Sequence, residues 1–487
     1  MPGTYSIENR PKRPGAYFRF EAAEERIIPP AIGGIVAIPI THDWGPVEQA
    51  TLVRSHAEFD QVFGDSITPG RNAVLQAFRG EDLDDTYGAG GVLVYRMTGT
   101  SGALATLQLQ NTTPAPAVRL DSKYQGARAN SLKVTVQDLA SDPTKTEVIV
   151  YDGALEVERY QYADTDIAGF VSQVNLSSRW VTATMLIGTT ALQNVASAAM
   201  TGGDSGTTLT VTDWTSALSA LEIERFSLFA PMNLTDSAVV TSLKTWAINL
   251  NNSGRRFMVV LGGALNETVS DAVTRAQSLN SEHFVTVGVG SVRDDGLLDA
   301  AGNGTVLSTA ALAPRIAGIL AARGSALGAT YARLAGLTIL QGPTEGSILT
   351  AYDGGVIVLA RDTDIEAPVH LETALTTYTT KTDNDKPYKV YSRPKYVRTM
   401  GAFETTLTEW AGRYIVGRTV VNNKTRDAVV GQARSILTSY EEAGGVQPGW
   451  TVTIPADASD DDEYIEIIVG MRFGRSAEQV FFRCRVG

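Results

Sequence analysis

The feature that most constrains the fold is a regular alternation of apolar strands and amphipathic helices between about residues 205 and 362. Nearly continuous apolar runs, among them FSLFAP, FMVVLGG, FVTVGVG and VIVLA, alternate with segments whose apolar residues recur at helical spacing, as Trp214, Leu218 and Leu221 do. Strands that are apolar along their whole length are buried on both faces, as in parallel sheets covered by helices. The pattern therefore predicts an α/β fold with a mostly parallel sheet and flanking helices.

Two further strands and a β-rich segment precede this region. The run GGIVAIPIT, which begins near Ile32, and GVLVYRMT at 91–98 are predicted strands, with a helical stretch at about 73–78 between them. From about 99 to 200, runs such as ATLQLQ, SLKVTVQDL and TEVIVYDG alternate apolar with polar residues between turn residues, and one helical run, Asp166 to Val174, interrupts them. This segment is predicted to be a β-rich domain inserted into the α/β domain.

Polar residues mark where the helices of the α/β region are expected to begin. Asp213, Thr235 and Thr268 each precede an apolar periodic run, and short polar side chains of this kind accept hydrogen bonds from the first N–H groups of a helix. A further helix is predicted near 310–322. Pro314 and Arg315 interrupt the apolar stretch at 306–322, which argues against a membrane span there.

From about residue 380 the pattern changes to an α+β arrangement. Two helices are predicted, each with one apolar face. These faces consist of Phe403, Leu407, Trp410, Ala411 and Tyr414 in the first helix, and of Val429, Ala433, Ile436, Leu437 and Tyr440 in the second. After an acidic turn at 457–463, alternating apolar residues predict a strand at about 465–473 and a last one at 480–486.

Composition excludes several classes of protein. A chain of 487 residues with 43% hydrophobic residues can form about three domains with sizeable cores. A formal charge of −12 is poorly suited to direct nucleic-acid binding, which requires clustered Lys and Arg. The only cysteine is Cys484, so no internal disulfide is expected, in keeping with assembly in a reducing cytoplasm. The N-terminus lacks the apolar core of a signal peptide, and no apolar run is long enough to predict membrane insertion.

The sequence offers candidates for three kinds of active site. Gly203-Asp204-Ser205-Gly206 resembles the nucleophile loop of trypsin-like proteases, but none of the four histidines (His42, His56, His283 and His370) stands in a triad context. Gly262-Gly263 and the segment GVGS at 288–291 end predicted strands, where nucleotides bind in doubly wound sheets, yet no phosphate-binding motif accompanies them. The histidines and the cysteine are not spaced as metal ligands, and the acidic run at 460–463 is typical of a solvated turn. The sequence therefore predicts no catalytic residue, cofactor or metal.

A cluster of basic residues is the one electrostatic feature that stands out. Residues 389–434 carry nine basic and three acidic side chains, a net charge of +6 in an acidic chain. The candidate contact residues are Lys389, Arg393, Lys395, Arg398, Arg413, Arg418, Lys424 and Arg426. Two interpretations remain open: a solvated helical surface, or a patch that contacts an acidic partner.

The two ends of the chain are candidate linking arms. The short extended run Ala16-Tyr17-Phe18-Arg19-Phe20 cannot form a core of its own, and the last predicted strand has no partner after it in the sequence. An unpaired strand exposes backbone donors and acceptors, which pairing with a neighbouring sheet would satisfy. The alternative is that both ends fold back on their own subunit. The candidate arm residues are Tyr17, Phe18, Phe20, Val480, Phe482, Cys484 and Val486.

Several segments of the chain, in order and over nearly its full length, resemble one family. These segments are RPGAYFRF, GIVAIPITHDWGPV, KYQGARANSLKVTV, TGGDSGTTLTVTDWTSALSALE, GRRFMVVLGG, and the stretch from TTYT to SRPKYVRTMGAF. They are similar to the tail sheath proteins of contractile phages, R-type tailocins and related injection particles.

The resemblance implies a structural protein and not an enzyme. Subunits of this family form hexameric rings that stack helically around a tail tube in a metastable extended state, and they contract to drive the tube through a cell envelope. The implied partners are further copies of the chain, the tail tube protein, and baseplate and tail terminator proteins. The implied location is the tail of a virion or phage-like particle, assembled in the cytoplasm of a bacterial host.

The resemblance also implies a division of the chain. The chain would begin with a linking arm at 1–20, followed by the first part of the α/β domain at 21–98 and the β-rich insertion at 99–200. The remainder of the α/β domain, which is called subtilisin-like in this family, would occupy 201–379. A tube-facing C-terminal domain at 380–477 and a C-terminal linking strand at 478–487 would follow. Two alternatives remain: a hydrolase that uses Ser205, and a nucleotide-binding α/β enzyme.

Overall fold

The computed structural model describes residues 3–4, 17–18, 34–81, 88–187, 191–288, 290–299, 301–325, 327–361, 368–383, 386–442, 446–459 and 463–473. The predicted arm residues Phe20, Val480, Phe482, Cys484 and Val486 lie outside these ranges, as does most of the acidic run at 460–463. Tyr17–Phe18 forms a two-residue strand that pairs in parallel with Gly3–Thr4.

The first elements include strands that the apolar runs predict. In chain order they are β1 (Gly3–Thr4), β2 (Tyr17–Phe18), β3 (Ile35–Ile40), β4 (Ala50–Val53), α1 (His56–Phe63), α2 (Pro69–Arg79) and β5 (Gly91–Arg96). Helix α1 begins at Ser55, whose hydroxyl accepts a hydrogen bond from Glu58 N.

The described residues of the predicted β-rich segment form seven strands and one α-helix. They are β6 (Thr106–Gln110), β7 (Pro116–Ser122), β8 (Leu132–Leu139), β9 (Asp142–Asp152), β10 (Leu155–Ala163), α3 (Ile167–Ser177), β11 (Val181–Met185) and β12 (Val195–Ala199). Two antiparallel sheets result, with strand orders β10–β9–β8–β12 and β11–β7–β6. The helix predicted at 166–174 is α3, which begins after Asp166.

The following region alternates helices with buried strands, as its periodicity predicts. Its elements are α4 (Val211–Leu221), β13 (Leu228–Phe229), α5 (Ser237–Asn252), β14 (Met258–Gly262), α6 (Val269–Leu279), β15 (Phe284–Val287), β16 (Ser291–Leu298), β17 (Gly304–Ser308), α7 (Thr309–Arg323), β18 (Arg333–Leu334), β19 (Leu337–Gln341), α8 (Glu345–Asp353), β20 (Leu359–Ala360) and β21 (Val369–Leu371). The main sheet has the strand order β15–β14–β13–β3–β5–β4, and β3, β13, β14 and β15 run parallel. The α/β fold with a parallel-containing sheet is confirmed.

The expected helix starts require two corrections. Thr268 accepts a hydrogen bond from Asp271 N and begins α6 as predicted. Asp213 instead lies in the first turn of α4, where its carboxylate accepts from Thr210 N and Thr210 Oγ1 accepts from Asp213 N, a reciprocal capping box. Helix α5 is capped by Asp236 and not by Thr235, because the Asp236 carboxylate accepts from the N–H groups of Ala238 and Val239.

The helix predicted near 310–322 is α7, which includes Pro314 and Arg315 within its length. The helix is buried over most of its length, and Arg315 is fully buried. The Arg315 guanidinium donates to Gly80 O and to Ala335 O, and its Nη1 lies 4.0 Å from the buried Asp294 carboxylate, so carbonyls and a carboxylate surround the charge.

The C-terminal region contains α9 (Tyr388–Tyr391), α10 (Pro394–Tyr414), α11 (Asn423–Glu442), β22 (Thr451–Thr453) and β23 (Ile468–Gly470). Both long helices begin several residues before the apolar faces that predicted them. Strands β22 and β23 form an antiparallel two-stranded sheet, in which Val452 pairs with Val469.

The described structure divides into two compact units. One combines residues up to Ile38 with Ala73–Leu93 and with the chain from Glu222 onward, and the other combines Pro39–Asn72 with Val94–Leu221. The second unit holds both antiparallel sheets and a shared core that includes Trp44.

Candidate functional site: the C-terminal helices and strands

The two long C-terminal helices share one apolar core. Phe403 and Leu407 of α10 pack in it with Ala433, Leu437 and Tyr440 of α11, and all five side chains are buried. These residues lie on the helix faces predicted from the spacing of their apolar side chains. The core holds α10 and α11 together as the framework of this region.

The sheet formed by β22 and β23 lies on this framework. Val452 is buried in the same core, whereas its neighbours Thr451 and Thr453 are exposed. Ile468 of β23 is also half exposed. Within the described residues the sheet has two strands, and an isolated two-stranded sheet is only marginally stable without additional packing. Backbone groups at a sheet edge can pair with an additional strand.

The predicted basic patch divides into exposed and enclosed members. Lys389, Arg413, Arg418 and Lys424 are exposed. The last three lie at the end of α10, in the connection to α11, and at the start of α11. Tyr414, the last residue of α10, and Val420, in the connection to α11, also have exposed side chains. We refer to Arg413, Tyr414, Arg418, Val420 and Lys424 as the hairpin tip.

The remaining basic residues make contacts inside the chain. The Arg398 guanidinium donates to Leu320 O and Gly324 O, and its burial lowers its pKa to about 10. Arg426 is buried and donates to Ser459 O and Asn423 Oδ1.

Arg393 donates to Ala374 O and stacks over the Tyr352 ring, and the Lys395 ammonium lies 6.0 Å from the centre of the Tyr396 ring. The structure thus places Arg398 and Arg426 in internal hydrogen bonding, and both Arg393 and Lys395 are only partly exposed.

Ser205, the candidate protease nucleophile, is part of a hydrogen-bonded turn. It is buried, and its Oγ accepts a hydrogen bond from Ala127 N at 2.9 Å. The neighbouring Asp204 carboxylate accepts from Gly206 N at 2.8 Å. The GDSG string therefore forms a turn that is joined to the segment before β8.

An ion pair occupies the strand ends that are the candidate nucleotide site. The Glu267 carboxylate packs against Gly263 and accepts from Arg275, with a separation of 2.6 Å between Oε2 and Nη2. Arg275 also donates to Thr286 Oγ1 and to Val287 O, which belong to β15. The side chains of Glu267 and Arg275 are 8% and 16% exposed, so this pair fills the carboxyl ends of β14 and β15.

The histidines also take part in local contacts. The ring nitrogens of His42 contact Thr68 Oγ1 and Gly64 O, and burial lowers the pKa of His42 to about 4. Burial likewise lowers the pKa of His283 to about 4, beside Glu282. Among the described residues, no group of three or more His, Cys, Asp or Glu side chains is placed to hold a metal ion. Within the described ranges, none of the α-helices combines the length and the apolar composition that a membrane span requires.

A polar face of α10 was not identified from the sequence. The Glu404 side chain is 1% exposed and pairs with Arg256, which precedes β14. The only signal in the sequence was a glutamate placed between Phe403 and Leu407 of an apolar helix face.

Comparison with known proteins gives consistent matches. Residues 207–377 match the family model for the phage tail sheath protein central domain, and residues 98–205 match the model for the phage tail sheath protein beta-sandwich domain. Among curated proteins, the chain is 25% identical over 236 residues to the uncharacterized protein YqbK of Bacillus subtilis (strain 168). That alignment covers 47% of this chain and 47% of YqbK, so it spans about half the length of the relative.

Solved structures with the same fold include two sheath tail proteins. The protein from Desulfitobacterium hafniense has a TM-score of 0.70 and 19% identity, and the alignment covers 93% of this chain and 99% of that one. The protein from Listeria innocua has a TM-score of 0.67 and 18% identity, with coverage of 93% and 96%. The helical sheath of the anti-feeding prophage in its contracted state gives a TM-score of 0.51 and 11% identity, with coverage of 98% and 99%. At these identities the similarity establishes the fold.

Proposed function

This chain belongs to the phage tail sheath protein family and has the structural role of a tail sheath subunit, and we propose that it forms hexameric rings that stack around a tail tube. In the proposed cycle, the rings are assembled in a metastable extended state. They then contract and drive the tube through a cell envelope. No nucleotide is consumed, because the energy is held in contacts between subunits that improve on contraction.

The observation that supports this proposal most directly is the two-stranded sheet of β22 and β23. One face is anchored by Val452 in the core of α10 and α11, while the sheet contains two strands within the described residues. We propose that arms of neighbouring subunits complete it. The contributing residues would be Tyr17, Phe18 and Phe20 at one end and Val480, Phe482, Cys484 and Val486 at the other.

Strand addition would give strong but movable links. Each backbone hydrogen bond contributes about 0.5–1.5 kcal/mol net, and each buried Val or Phe about 1.5–3 kcal/mol. Several such contacts per arm would keep neighbouring subunits joined. Because the arms are extended segments, rings could rotate and approach one another while these links persist.

The hairpin tip is the proposed contact with the tube. Arg413, Arg418 and Lys424 are exposed, and an acidic tube surface would attract them. Exposed ion pairs contribute only about 0–1 kcal/mol each, so the contact would hold the tube reversibly. Lys389 is exposed and is the other candidate in this set.

We propose that the subunit is not an enzyme. Two observations favour this: Ser205 Oγ is used in a backbone hydrogen bond, and the Glu267–Arg275 pair occupies the strand ends where a nucleotide could bind. The proposed partners are other sheath subunits, the tube, and baseplate and terminator proteins. The proposed location is the tail of a virion or phage-like particle assembled in the host cytoplasm.

Negative-stain electron microscopy of the purified full-length chain tests this function. Striated hollow cylinders are the expected result, since sheath subunits polymerise on their own contacts. A protein that stays monomeric at high concentration would contradict the proposal. A melting temperature that rises on addition of ATP, or labelling of Ser205 by a serine-reactive probe, would instead favour one of the enzyme alternatives.

A further inference from the structure

Two faces of helix α10 make different kinds of contact with different parts of the chain. One face carries Phe403 and Leu407 into the apolar core shared with α11. A second face, turned away by the helical repeat, carries Arg398, Gly401 and Glu404. The second face makes its contacts with residues of the α/β region.

The first contact of the second face closes the end of helix α7. The Arg398 guanidinium donates to Leu320 O and Gly324 O, which lie at the C-terminus of α7. A cation is favourable at this position because the free carbonyls of a helix C-terminus carry partial negative charge. Next to it, Thr399 Oγ1 donates to Ser325 O at 3.0 Å.

The second contact is a buried ion pair one to two turns further along. Arg256 Nε donates to Glu404 Oε2 at 2.5 Å, and the two side chains are 12% and 1% exposed. Gly401 allows this approach: a Cβ atom there would lie 2.9 Å from Arg256 Cβ. Glu404 Oε1 is buried and has no hydrogen-bond partner among the described residues, so the carboxylate is only half satisfied.

The energetics of the two faces differ in kind. Apolar packing is non-directional and depends mainly on the area buried. Hydrogen bonds and bonded ion pairs lose strength steeply when their angles change. The apolar face therefore holds α10 to α11, and the polar face determines the direction in which α10 leaves the α/β region.

We propose that Arg398, Thr399 and the Arg256–Glu404 pair form an angular joint that holds α10, and with it the C-terminal helices and strands, at one orientation to the α/β region. The joint is a property of the single chain and goes beyond the sheath function. In a sheath, the joint would keep the angle between α10 and the α/β region constant, so that a rotation of the α/β region would move the hairpin tip by the same rotation.

Distance measurements on the full-length chain test the joint. Spin labels are placed at Gln277→Cys on α6 and Ser435→Cys on α11, both exposed, in a Cys484→Ser background. The unmodified joint is expected to give one narrow distance distribution by double electron–electron resonance. Glu404→Gln removes the charge at nearly constant volume and is expected to broaden the distribution at least twofold, and Arg398→Gln is expected to do the same.

An exposed ion pair that α10 makes through Glu409 supplies a matched control. Arg225 and Glu409 are 85% and 49% exposed, and Glu409→Gln should leave the distribution unchanged because exposed pairs constrain little. Equal widths for the parent, Glu404→Gln and Arg398→Gln chains, with circular dichroism spectra that show all three folded, would overturn the joint. Should Glu404→Gln unfold the C-terminal region, the charge-reversed pair Arg256→Glu with Glu404→Arg must restore the narrow distribution, and failure to do so would also overturn it.

The joint and the sheath function fail in distinguishable ways. If the parent chain forms no cylinders but shows the narrow distribution, the sheath proposal fails and the joint stands. If cylinders form but the distribution is already broad in the parent chain, the joint fails and the sheath proposal stands.

Discussion

The antiparallel sandwich, formed by the two sheets that contain β6 to β12, and the sheet of β22 and β23 differ in the number of strands within the described residues. The sandwich has two sheets around a core that contains Phe170, Val134 and Val148. Bridges at Thr106–Thr201 and Asn111–Leu192 connect β6 to the segments flanking β12, so the two sheets join along one side. The β22–β23 sheet has two strands within the described residues.

The edges of the two sheets differ as well. Strand β10, at one edge of the sandwich, carries Glu156 and Arg159, and Arg159 also pairs with Glu147 of β9. Charged edges oppose pairing with another chain. The three residues of β22 are Thr451, Val452 and Thr453, none of which is charged. The proposed strand addition is consistent with this difference, because β10 has a charged edge and β22 has no charged residue.

The largest expected effect comes from deleting residues 1–20. If arms complete the C-terminal sheet, the truncated chain should lose cylinder formation entirely and remain a folded monomer. Electron microscopy and size-exclusion chromatography measure this, with Leu155→Ala, a substitution of an exposed sandwich residue, as the control. Normal cylinders from the truncated chain would show that this arm is not required.

A core substitution in the sandwich should have the next largest effect. Phe170 is fully buried, and Phe170→Ala is expected to lower the free energy of unfolding by about 3–5 kcal/mol, through lost burial and the cavity left behind. Urea denaturation followed by fluorescence measures the loss. The exposed neighbour substitution Leu176→Ala should change it little.

Acid should destabilise the sandwich-containing unit through His42. The pKa of His42 falls from 6.5 to about 4 on burial, so the unfolded chain binds the proton first as the pH drops. The stabilisation is complete above pH 6.5 and decreases as the pH falls to 4, by about 3 kcal/mol in all. Denaturation at several pH values should show that the free energy of unfolding falls less between pH 6.5 and pH 4 in His42→Gln than in His56→Gln. An equal dependence of the free energy of unfolding on pH in the two variants would contradict the role given to His42.

A substitution of Val452, which anchors the C-terminal sheet, should lower the free energy of unfolding less than a substitution in the sandwich core. Val452→Ala removes about two methylene equivalents of burial and is expected to cost about 1–2 kcal/mol. It should also lower the yield of cylinders, because arms would join a less ordered sheet. Thr453→Ala, in the same strand but exposed, is the control for both measurements.

The smallest effects are expected at the hairpin tip. Arg413→Gln, Arg418→Gln and Lys424→Gln should each weaken binding to the cognate tail tube by about 0–1 kcal/mol, more at low than at high ionic strength. Co-sedimentation with the tube measures this. Lys145→Gln, an exposed lysine of the sandwich, should have no effect. Salt-independent losses would indicate that the tip contributes packing and not charge.

Sequence periodicity determined which segments form strands and helices. Apolar runs identified β3, β14 and β15, and helical spacing placed Phe403, Leu407, Ala433 and Leu437 in one core. Such patterns are local, because each residue's face follows from its neighbours a few positions away. The family resemblance, carried by ordered segments along the chain, provided the function.

Only the tertiary structure decided which charges are available and which distant segments belong together. The sequence could not separate the exposed Arg413 from Arg398, whose guanidinium is bonded to α7 carbonyls more than 70 residues away in the chain. Nor could it place Trp44 against Tyr124 and Trp180 in the sandwich core. The physical reason is that burial of a charge, and packing between remote segments, depend on long-range contacts that have no periodic signature in the chain.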